Sequence, residues 1–206
     1  MIAVIDYGMG NIGSIIKAFS FIGQKVFIVN DPDLLNKYDK IVLPGVGAFE
    51  KAMENLNSKG MADAVTEQIK KGKTFLGICL GYQLLFETSE EEFSEDKHLV
   101  TGMGLLNGNV KKFREDISLK IPQMGWNSIK TNENMRILKD FDEKYFYFVH
   151  SYYASIEDSS EQDYALTQYG ITFPSAVEKD NILACQFHPE KSGDEGINLL
   201  RKWVEQ

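Results

Sequence analysis

The sequence has few cysteines, no excess of basic charge and no long apolar run, and each absence excludes a class of protein. Two cysteines among 206 residues cannot build a disulfide framework, so we expect a reducing, cytoplasmic environment. The net charge of −8 argues against a nucleic-acid binder and against a binder of anionic membranes. No run approaches the roughly 20 apolar residues of a membrane helix. We also expect no signal peptide, because residues 1–6 lack a basic region and a cleavage site.

Metal-ligand spacings are missing as well. The chain has no His-Glu-x-x-His motif, no Cys-x-x-Cys motif and no paired histidines. The acidic stretch at residues 87–97 is most simply a solvated loop, with one member free to meet a cationic substrate group. We therefore predict no metal site.

The first half of the chain alternates between short apolar segments and helical patterns, which predicts βαβ units and a parallel sheet. Strands are predicted at residues 2–5, 25–29, 40–43 and 74–78. Helices are predicted at residues 13–22, 49–56, 61–70 and 80–86.

The second half contains shorter β-type segments that suit antiparallel additions to the sheet. They lie at residues 109–113, 127–130, 145–149, 152–156, 164–168, 175–178 and 182–186. An amphipathic helix is predicted at residues 193–204. Without a repeat or a linker, the sequence predicts one α/β domain over residues 1–206, with a mostly parallel central sheet.

The sharpest local signal lies at residues 77–81, Gly-Ile-Cys-Leu-Gly, between a predicted strand and a predicted helix. A nucleophile on a tight strand-to-helix turn needs small residues two positions before and after it, because the backbone is crowded there. The start of a helix also favours a thiolate over a thiol. These features predict Cys79 as a nucleophile, with the N–H of Leu80 directed at an oxyanion. The alternative is a buried structural cysteine, the role we expect for Cys185.

A thiolate nucleophile needs a base, and the chain has three histidines. His98 borders the acidic stretch, and His150 ends an apolar strand where it could line a pocket. A proline follows His188 and favours an extended backbone there. Glu190 can then orient the imidazole and hold the tautomer that accepts the thiol proton. Cys79, His188 and Glu190 therefore form a plausible catalytic set.

A second oxyanion donor is expected from residues 44–48, Pro-Gly-Val-Gly-Ala, which follow the third predicted strand. Parallel sheets of this kind place ligands at the carboxyl ends of their strands. Two glycines let this loop change orientation and present an N–H, although an ordinary strand-to-helix turn remains the alternative.

A rival motif is Gly-x-Gly-x-x-Gly at residues 8–13, with Asp31 about 20 residues further on. Taken alone, it fits a dinucleotide-dependent enzyme of the Rossmann type. However, Asp6 at the turn would place an anion near the pyrophosphate, and this interpretation leaves Cys79 and His188 without a role. It stays open as a remote alternative.

Several motifs in order resemble a known family. Residues 77–83, Gly-Ile-Cys-Leu-Gly-Tyr-Gln, and 187–190, Phe-His-Pro-Glu, look like those of triad-type class I glutamine amidotransferases. The resemblance narrows to the glutaminase subunits of imidazole glycerol phosphate synthases through residues 6–11, 43–49, 124–127 and 148–152. It covers the chain and implies a three-layer, flavodoxin-like fold without a cofactor. It also assigns the glycine-rich segment at residues 8–13 to a partner interface.

The resemblance implies that the substrate is L-glutamine. Cys79 would attack the side-chain amide, His188 would transfer the protons, and Glu190 would orient His188. In the family, the oxyanion is stabilised at positions that match Leu80 and, after a peptide rearrangement, Val46 and Gly47. Glutamine is held at positions that match Gly45, Gln83, Glu91, Ser151 and Tyr152, with Glu91 meeting the α-ammonium group.

The resemblance also implies a partner, a cyclase subunit of (β/α)₈ barrel fold that forms a heterodimer with the glutaminase. Ammonia would pass through the interface and yield imidazole glycerol phosphate and an aminoimidazole carboxamide ribonucleotide in histidine biosynthesis. Family members hydrolyse glutamine slowly until the partner is bound and loaded. Asn11, Trp126 and Lys191 resemble docking residues, although Trp126 could instead pack in the core and Lys191 could be an ordinary surface charge.

Two positions depart from the family pattern. Gln123 stands where His is usual, and Tyr82 stands where Met is usual. Because Gln123 precedes a docking motif, a paralogous glutaminase that feeds a nucleotide-sugar amidotransferase of surface polysaccharide synthesis stays open. A Cys-His-Glu peptidase or esterase and a catalytically inactive interaction subunit are further alternatives.

Overall fold

The computed structural model describes residues 1–91, 99–114, 119–156 and 163–206. The strands are β1 (Ile2–Ile5), β2 (Val26–Val29), β3 (Lys40–Gly45), β4 (Thr74–Cys79), β5 (Thr88–Ser89), β6 (Val100–Thr101), β7 (Asn109–Lys112), β8 (Gln123–Ser128), β9 (Tyr145–His150), β10 (Tyr152–Ser155), β11 (Asp163–Tyr169), β12 (Ile171–Lys179) and β13 (Ile182–Cys185). The α-helices are α1 (Ile12–Phe21), α2 (Phe49–Ser58), α3 (Met61–Lys70), α4 (Leu80–Gln83) and α5 (Gly193–Val204). Short 3₁₀ segments lie at Pro32–Lys37, Leu138–Phe141 and Pro189–Lys191.

The central sheet has seven strands in the order β11-β12-β13-β4-β3-β1-β2. The five strands from β13 to β2 are parallel, whereas β12 and β11 add to them in antiparallel pairs. This arrangement confirms the predicted mostly parallel sheet with antiparallel additions. A four-stranded sheet, β10-β7-β5-β6, and a two-stranded ribbon of β8 and β9 complete the β structure of the described residues.

The core lies on both faces of the central sheet. Along β1, Ala3 and Ile5 belong to a buried cluster that includes residues of α2 and α3, whereas Ile2 and Val4 belong to one that includes residues of α1 and α5. This alternation follows from the period of two in a strand, which sends successive side chains to opposite faces. The result is the three-layer α/β domain that the resemblance implies.

Several predicted elements differ from the structure. The strand predicted at residues 175–178 begins earlier, at Ile171, and Thr88–Ser89 within the predicted loop at residues 87–97 form β5. The bounds of the strand predicted at residues 127–130 are wrong, because the observed strand is Gln123–Ser128. The exposed Met124 and Trp126 hide the usual alternation of apolar and polar residues. The helix predicted to reach residue 86 ends at Gln83. Beyond it, the carbonyl groups of residues 84–86 accept N–H groups from residues 103–106 instead of continuing the helix. His98 and most of the acidic stretch lie outside the described residues.

Candidate active site

Cys79 lies on a strained turn between β4 and α4. Its φ of 55° and ψ of −109° are unusual for a residue with a side chain. The turn depends on its glycines, because an added Cβ at Gly81 would overlap the carbonyl oxygen of Leu43. An added Cβ at Gly77 would lie 2.9 Å from the carbonyl oxygen of Gly81. The close approach of the backbone therefore explains the small residues on both sides of Cys79.

The parallel pairing of β13 with β4 brings His188 close to Cys79. Ile78 pairs with Cys185, so the chain after β13 continues beside the cysteine turn. His188 is extended, with φ −102° and ψ 94°, as the following proline predicts. Its backbone N–H donates to the carbonyl of Tyr147 at 2.9 Å, which ties this segment to β9.

His188 and Glu190 form a buried pair. The Nδ1 atom of His188 lies 2.8 Å from Oε1 of Glu190, and each side chain is only 2% exposed. Burial lowers the pKa of His188, but interactions with the Cys79 sulfur and the Glu190 carboxylate outweigh it and raise that pKa to about 10. Within the described residues, Nε2 of His188 bonds to no nitrogen or oxygen atom and interacts with the Cys79 sulfur, so it is placed for proton transfer.

A cavity of about 390 Å³ opens onto Cys79 and His188. This volume suits a small-molecule ligand. The cavity is lined by Val46, Gly47, Cys79, Leu80, Gln83, Glu91, Val149, His150, Ser151, Tyr152, His188 and Lys191. The structure thus gathers at one place most of the residues expected to act on or hold a substrate.

Gly45 lies next to this cavity rather than in its lining. An added Cβ at Gly45 would lie 2.5 Å from the hydroxyl of Tyr7 and 2.8 Å from Cβ of Leu80. Two residues on, Gly47 has a φ of +104°, and Val46 between them is 40% exposed. A loop held tightly at Gly45 and open at Val46 can change its peptide orientation without disturbing the sheet.

Glu91 is the carboxylate of the cavity. Burial raises its pKa to about 7, although the N–H of Phe49, which donates to Oε2 at 3.2 Å, partly opposes this shift. A half-buried carboxylate with few donors is a suitable partner for a cationic group. Its position agrees with the role that the resemblance implies.

Gln83 belongs to a hydrogen-bonded chain that ends at the cysteine. Its Nε2 donates to the carbonyl of Tyr152 at 3.0 Å and to Oε1 of Gln186 at 2.9 Å. The Nε2 of Gln186 in turn lies 3.8 Å from the sulfur of Cys79. The sequence analysis missed Gln186, and the only available signal was its place two residues before His188.

The carbonyl of Tyr152, which accepts from Gln83, also bonds to His150. Its Nδ1 lies 2.7 Å from the Tyr152 oxygen, and its Nε2 lies 3.1 Å from the side-chain amide of Gln123. Burial lowers the pKa of His150 to about 4, so the ring is neutral. Gln123 is 2% exposed, which shows that this departure from the family pattern faces the interior. The other departure, Tyr82, is buried too, and its hydroxyl donates to the carbonyl of Pro174.

The predicted docking residues divide between two places. Trp126 is 57% exposed on the β8–β9 ribbon, beside the exposed Met124, so core packing does not apply. Asn11 caps α1 by accepting the N–H of Ser14, and Lys191 lies at the mouth of the cavity.

The glycine-rich segment at residues 8–13 is not open to a pyrophosphate. The Asp6 carboxylate accepts the N–H of Gly8 at 3.0 Å, and the side chain of Asn11 occupies the start of α1. Both groups stand where a dinucleotide needs free backbone donors. This geometry disfavours the Rossmann alternative.

The described residues contain neither a membrane-spanning helix nor a metal-binding cluster. In this part of the chain no helix is long and apolar enough to cross a membrane. The same residues contain no group of three or more histidine, cysteine or acidic side chains that could hold a metal ion.

Known proteins similar in sequence show the family of this chain. Its residues 3–206 match the family Glutamine amidotransferase class-I. It is 46% identical to the imidazole glycerol phosphate synthase subunit HisH of Sulfurimonas denitrificans, over 100% of this chain and 98% of that protein. The same identity, over 100% of this chain and 98% of the relative, relates it to the subunit HisH of Methanothermobacter thermautotrophicus. Both names describe one subunit of a synthase, which implies a partner subunit.

Solved structures agree on the fold. A glutamine amidotransferase structure matches 98% of this chain and 97% of its own with a TM-score of 0.69 at 18% identity. The structure of PurLQS from Thermotoga maritima matches 99% of this chain and 97% of its own with a TM-score of 0.75 at 16% identity. Because the sequence relatives cover the whole chain, it belongs to the class I glutamine amidotransferases and, within them, to the HisH subunits of imidazole glycerol phosphate synthase.

Proposed function

We propose that this chain hydrolyses L-glutamine to glutamate and ammonia through Cys79, His188 and Glu190, within one amidotransferase domain over residues 1–206. The observation that carries the proposal is the convergence of Cys79 and His188 on one cavity, with Glu190 bonded to Nδ1 of His188 and the Cys79 sulfur interacting with the same ring. An acyl transfer needs this order of nucleophile, base and orienting group.

The reaction follows from these positions. His188 takes the thiol proton at Nε2, and the Cys79 sulfur attacks the amide carbon of glutamine. The tetrahedral intermediate collapses as His188 returns the proton to the leaving nitrogen, which releases ammonia and leaves a γ-glutamyl thioester. His188 then deprotonates a water molecule that attacks the thioester and frees glutamate. Glu190 keeps the imidazole in the required tautomer throughout.

The oxyanion is assigned to backbone donors. The N–H of Leu80, directly after the nucleophile, is the first donor. Val46 and Gly47 supply the second after a rearrangement of their peptide, which the positive φ of Gly47 and the exposure of Val46 support. Two arrangements of this loop account for slow hydrolysis until a partner binds.

Glutamine is assigned to the cavity next to these donors. Glu91 binds its α-ammonium group, because it is the carboxylate in the cavity lining. Gln83, Ser151 and Tyr152 line the same space, and Gly45 lies next to it, where its missing side chain lets the backbone pack closely against Tyr7 and Leu80.

Ammonia is the product that matters for the complex, because protonation in water would remove its nucleophilicity. We infer that the partner is a (β/α)₈ cyclase subunit, bound as a heterodimer at a surface that includes Asn11, Trp126 and Lys191. The shielded ammonia then reacts with a phosphoribulosyl formimino intermediate, giving imidazole glycerol phosphate and an aminoimidazole carboxamide ribonucleotide in histidine biosynthesis. A cytoplasmic location is part of this proposal.

The test is the complete complex with the variant Cys79→Ala. We expect it to lose glutamine-dependent cyclisation and to retain ammonia-dependent cyclisation by the partner, because only the nucleophile is removed. Cyclisation and glutamate formation are both measured. If glutamine still drives cyclisation, or if wild-type complex turns over acyl esters without forming glutamate, the proposed function is wrong.

The nucleotide-sugar alternative depended on Gln123 lying at the docking surface. The side chain is buried against His150, so it does not alter that surface. Comparing a nucleotide-sugar amidotransferase partner with the cyclase in the same assay decides between the two acceptors.

A further inference from the structure

Gln186 lies between the cysteine and the glutamine cavity and has no role in the mechanism above. Its side chain is fully buried directly after β13. The backbone N–H donates to the carbonyl of Ser175 at 2.8 Å, which fixes the residue against β12. Its two amide atoms contact different functional residues, Cys79 on one side and Gln83 on the other.

The hydrogen bonds determine which amide atom faces the sulfur. The carbonyl of Tyr152 can only accept, so Gln83 must present its NH₂ group there. The same NH₂ group also donates to Gln186, which must therefore present its oxygen to Gln83. The NH₂ group of Gln186 is left to face Cys79, so a donor is directed at the sulfur. The orientation of both amide groups is thus fixed by the backbone carbonyl of Tyr152, which can only accept hydrogen bonds.

We propose that Gln186 is a positioning residue, whose amide group holds the Cys79 sulfur toward His188 and stabilises the thiolate while it holds Gln83 toward the cavity. A donor beside sulfur favours the anionic, nucleophilic form of cysteine. The effect on Gln83 rests on the proposed function, because only there does Gln83 hold glutamine. The effect on the sulfur does not, and it can be measured without glutamine.

The sulfur has other titratable neighbours, which the test must leave unchanged. Tyr7, Cys185 and His188 interact with it, and Glu91, His150 and Lys191 line the same cavity. Glu190 is bonded to His188, and burial keeps His150 neutral. A substitution at Gln186 keeps all of these groups, so a change in the reactivity of Cys79 reports the amide itself.

The experiment measures the rate of Cys79 alkylation by iodoacetamide against pH in the full chain, with the modified peptide identified by mass spectrometry. Gln186→Glu keeps an oxygen for Gln83 but places negative charge at the sulfur. We expect the pH midpoint of alkylation to rise by about one unit, so that at pH values below the wild-type midpoint the rate falls roughly tenfold. Gln186→Met, similar in size but without a donor, should shift the midpoint in the same direction by less.

The matched control is Gln68→Glu, a buried glutamine on α3 outside the cavity lining, which should leave the midpoint unchanged. Near-ultraviolet circular dichroism confirms folding, and Gln186→Met decides the question if Gln186→Glu does not fold. An unchanged midpoint in a folded Gln186 variant overturns the proposal.

Steady-state kinetics of the complex separate this inference from the proposed function. Gln186→Met should lower kcat for glutamine more than it raises KM, because the sulfur contact is lost while the cavity persists. A wild-type complex that makes no glutamate rejects the proposed function, yet the alkylation profile still decides the role of Gln186. A wild-type complex that makes glutamate, with no shift in the variants, rejects only the role of Gln186.

Discussion

His188 and His150 lie on the same cavity, but their pKa values move in opposite directions. Burial lowers both, and for His150 it prevails and gives a pKa of about 4. For His188, the sulfur of Cys79 and the carboxylate of Glu190 outweigh burial and give about 10. One ring is therefore a neutral hydrogen-bonding group, and the other can carry the proton that acyl transfer requires.

The Glu190 carboxylate should control the protonation of His188. In Glu190→Gln a neutral amide replaces the charge that raises the pKa of His188, so that pKa should fall. We expect at least a tenfold loss of kcat for glutamine in the complex and a pH profile shifted to lower pH on the limb that reports His188. The exposed Glu143→Gln serves as the control. A profile identical to wild type would contradict the assigned role.

Glu91 should make glutamine binding depend on pH. Burial raises its folded pKa from 4.5 to about 7, so the carboxylate becomes neutral below that pH and loses its attraction for the α-ammonium group. We expect KM for glutamine to rise as pH falls below about 7, and Glu91→Gln to have a KM raised at least tenfold at neutral pH without this dependence. Initial rates across pH 5.5–8.5 give the measurement, roughly centred on that pKa. Glu54→Gln on α2 is the control.

The raised pKa of Glu91 also determines how the free energy of unfolding changes with pH. A carboxyl group whose pKa is raised on folding contributes stability that is fully present below about 4.5 and is lost as pH rises through about 7. Glu91→Gln should therefore remove part of the decline in the free energy of unfolding over that window, measured by urea denaturation. If the free energy of unfolding of Glu91→Gln declines with pH as it does in wild type, folding does not raise the pKa of Glu91.

At the scale of elements, the turn at Cys79 is built by close packing of two strands and a helix start. Gly81 passes over the carbonyl of Leu43 on β3, and Gly77 lies against Gly81. These contacts hold the strained backbone of Cys79 in place. They also explain why β4 can be followed at once by α4.

Gly81→Ala should destabilise the chain, because the added methyl group meets backbone that cannot move without breaking the pairing of β3 with β4. We expect a loss of about 1–3 kcal/mol in the free energy of unfolding by urea denaturation. Gly13→Ala on α1, where the added methyl meets nothing within 4 Å, should be neutral or slightly stabilising. Equal stability of the two variants would mean that the turn is not packed as described.

Comparing predicted with observed strands and helices shows which parts of the fold a local sequence pattern can predict. The strands of the parallel sheet and the helices α2 and α3 agree with the sequence to within two residues, because apolar runs and helical periodicity are local properties. The ribbon strand β8 was misplaced because its exposed face carries Met124 and Trp126. Large apolar groups on a surface break the alternation that identifies a half-buried strand.

At the scale of the whole molecule, the β8–β9 ribbon carries a group of exposed apolar side chains. Trp126, Met124 and Tyr145 are all more than half exposed on it. A subunit of a complex is expected to present such groups, because aromatic residues dominate the binding energy of interfaces.

Trp126 should report on the complex with the proposed cyclase partner and should stabilise that complex. The chain has two tryptophans, and Trp203 is fully buried, so a blue shift in the fluorescence of this chain's own tryptophans on partner binding arises from Trp126. Trp126→Ala should weaken binding by about 2 kcal/mol, or roughly thirtyfold in Kd, without changing stability of the free chain. Phe21→Ala, which removes a side chain still more exposed than Trp126 at the far end of α1, should bind normally. Unchanged affinity of Trp126→Ala would exclude the ribbon from the interface.

The sequence by itself determined the local features: the parallel sheet, the small residues around Cys79, and the extended His188 followed by Glu190. Only the tertiary structure decided what meets the sulfur. The pairing of β13 with β4 places His188 and Gln186 beside a cysteine from the other half of the chain. Burial and long-range hydrogen bonds then set the opposite pKa values of the two histidines and direct the Gln186 amide, because both depend on neighbours distant in sequence.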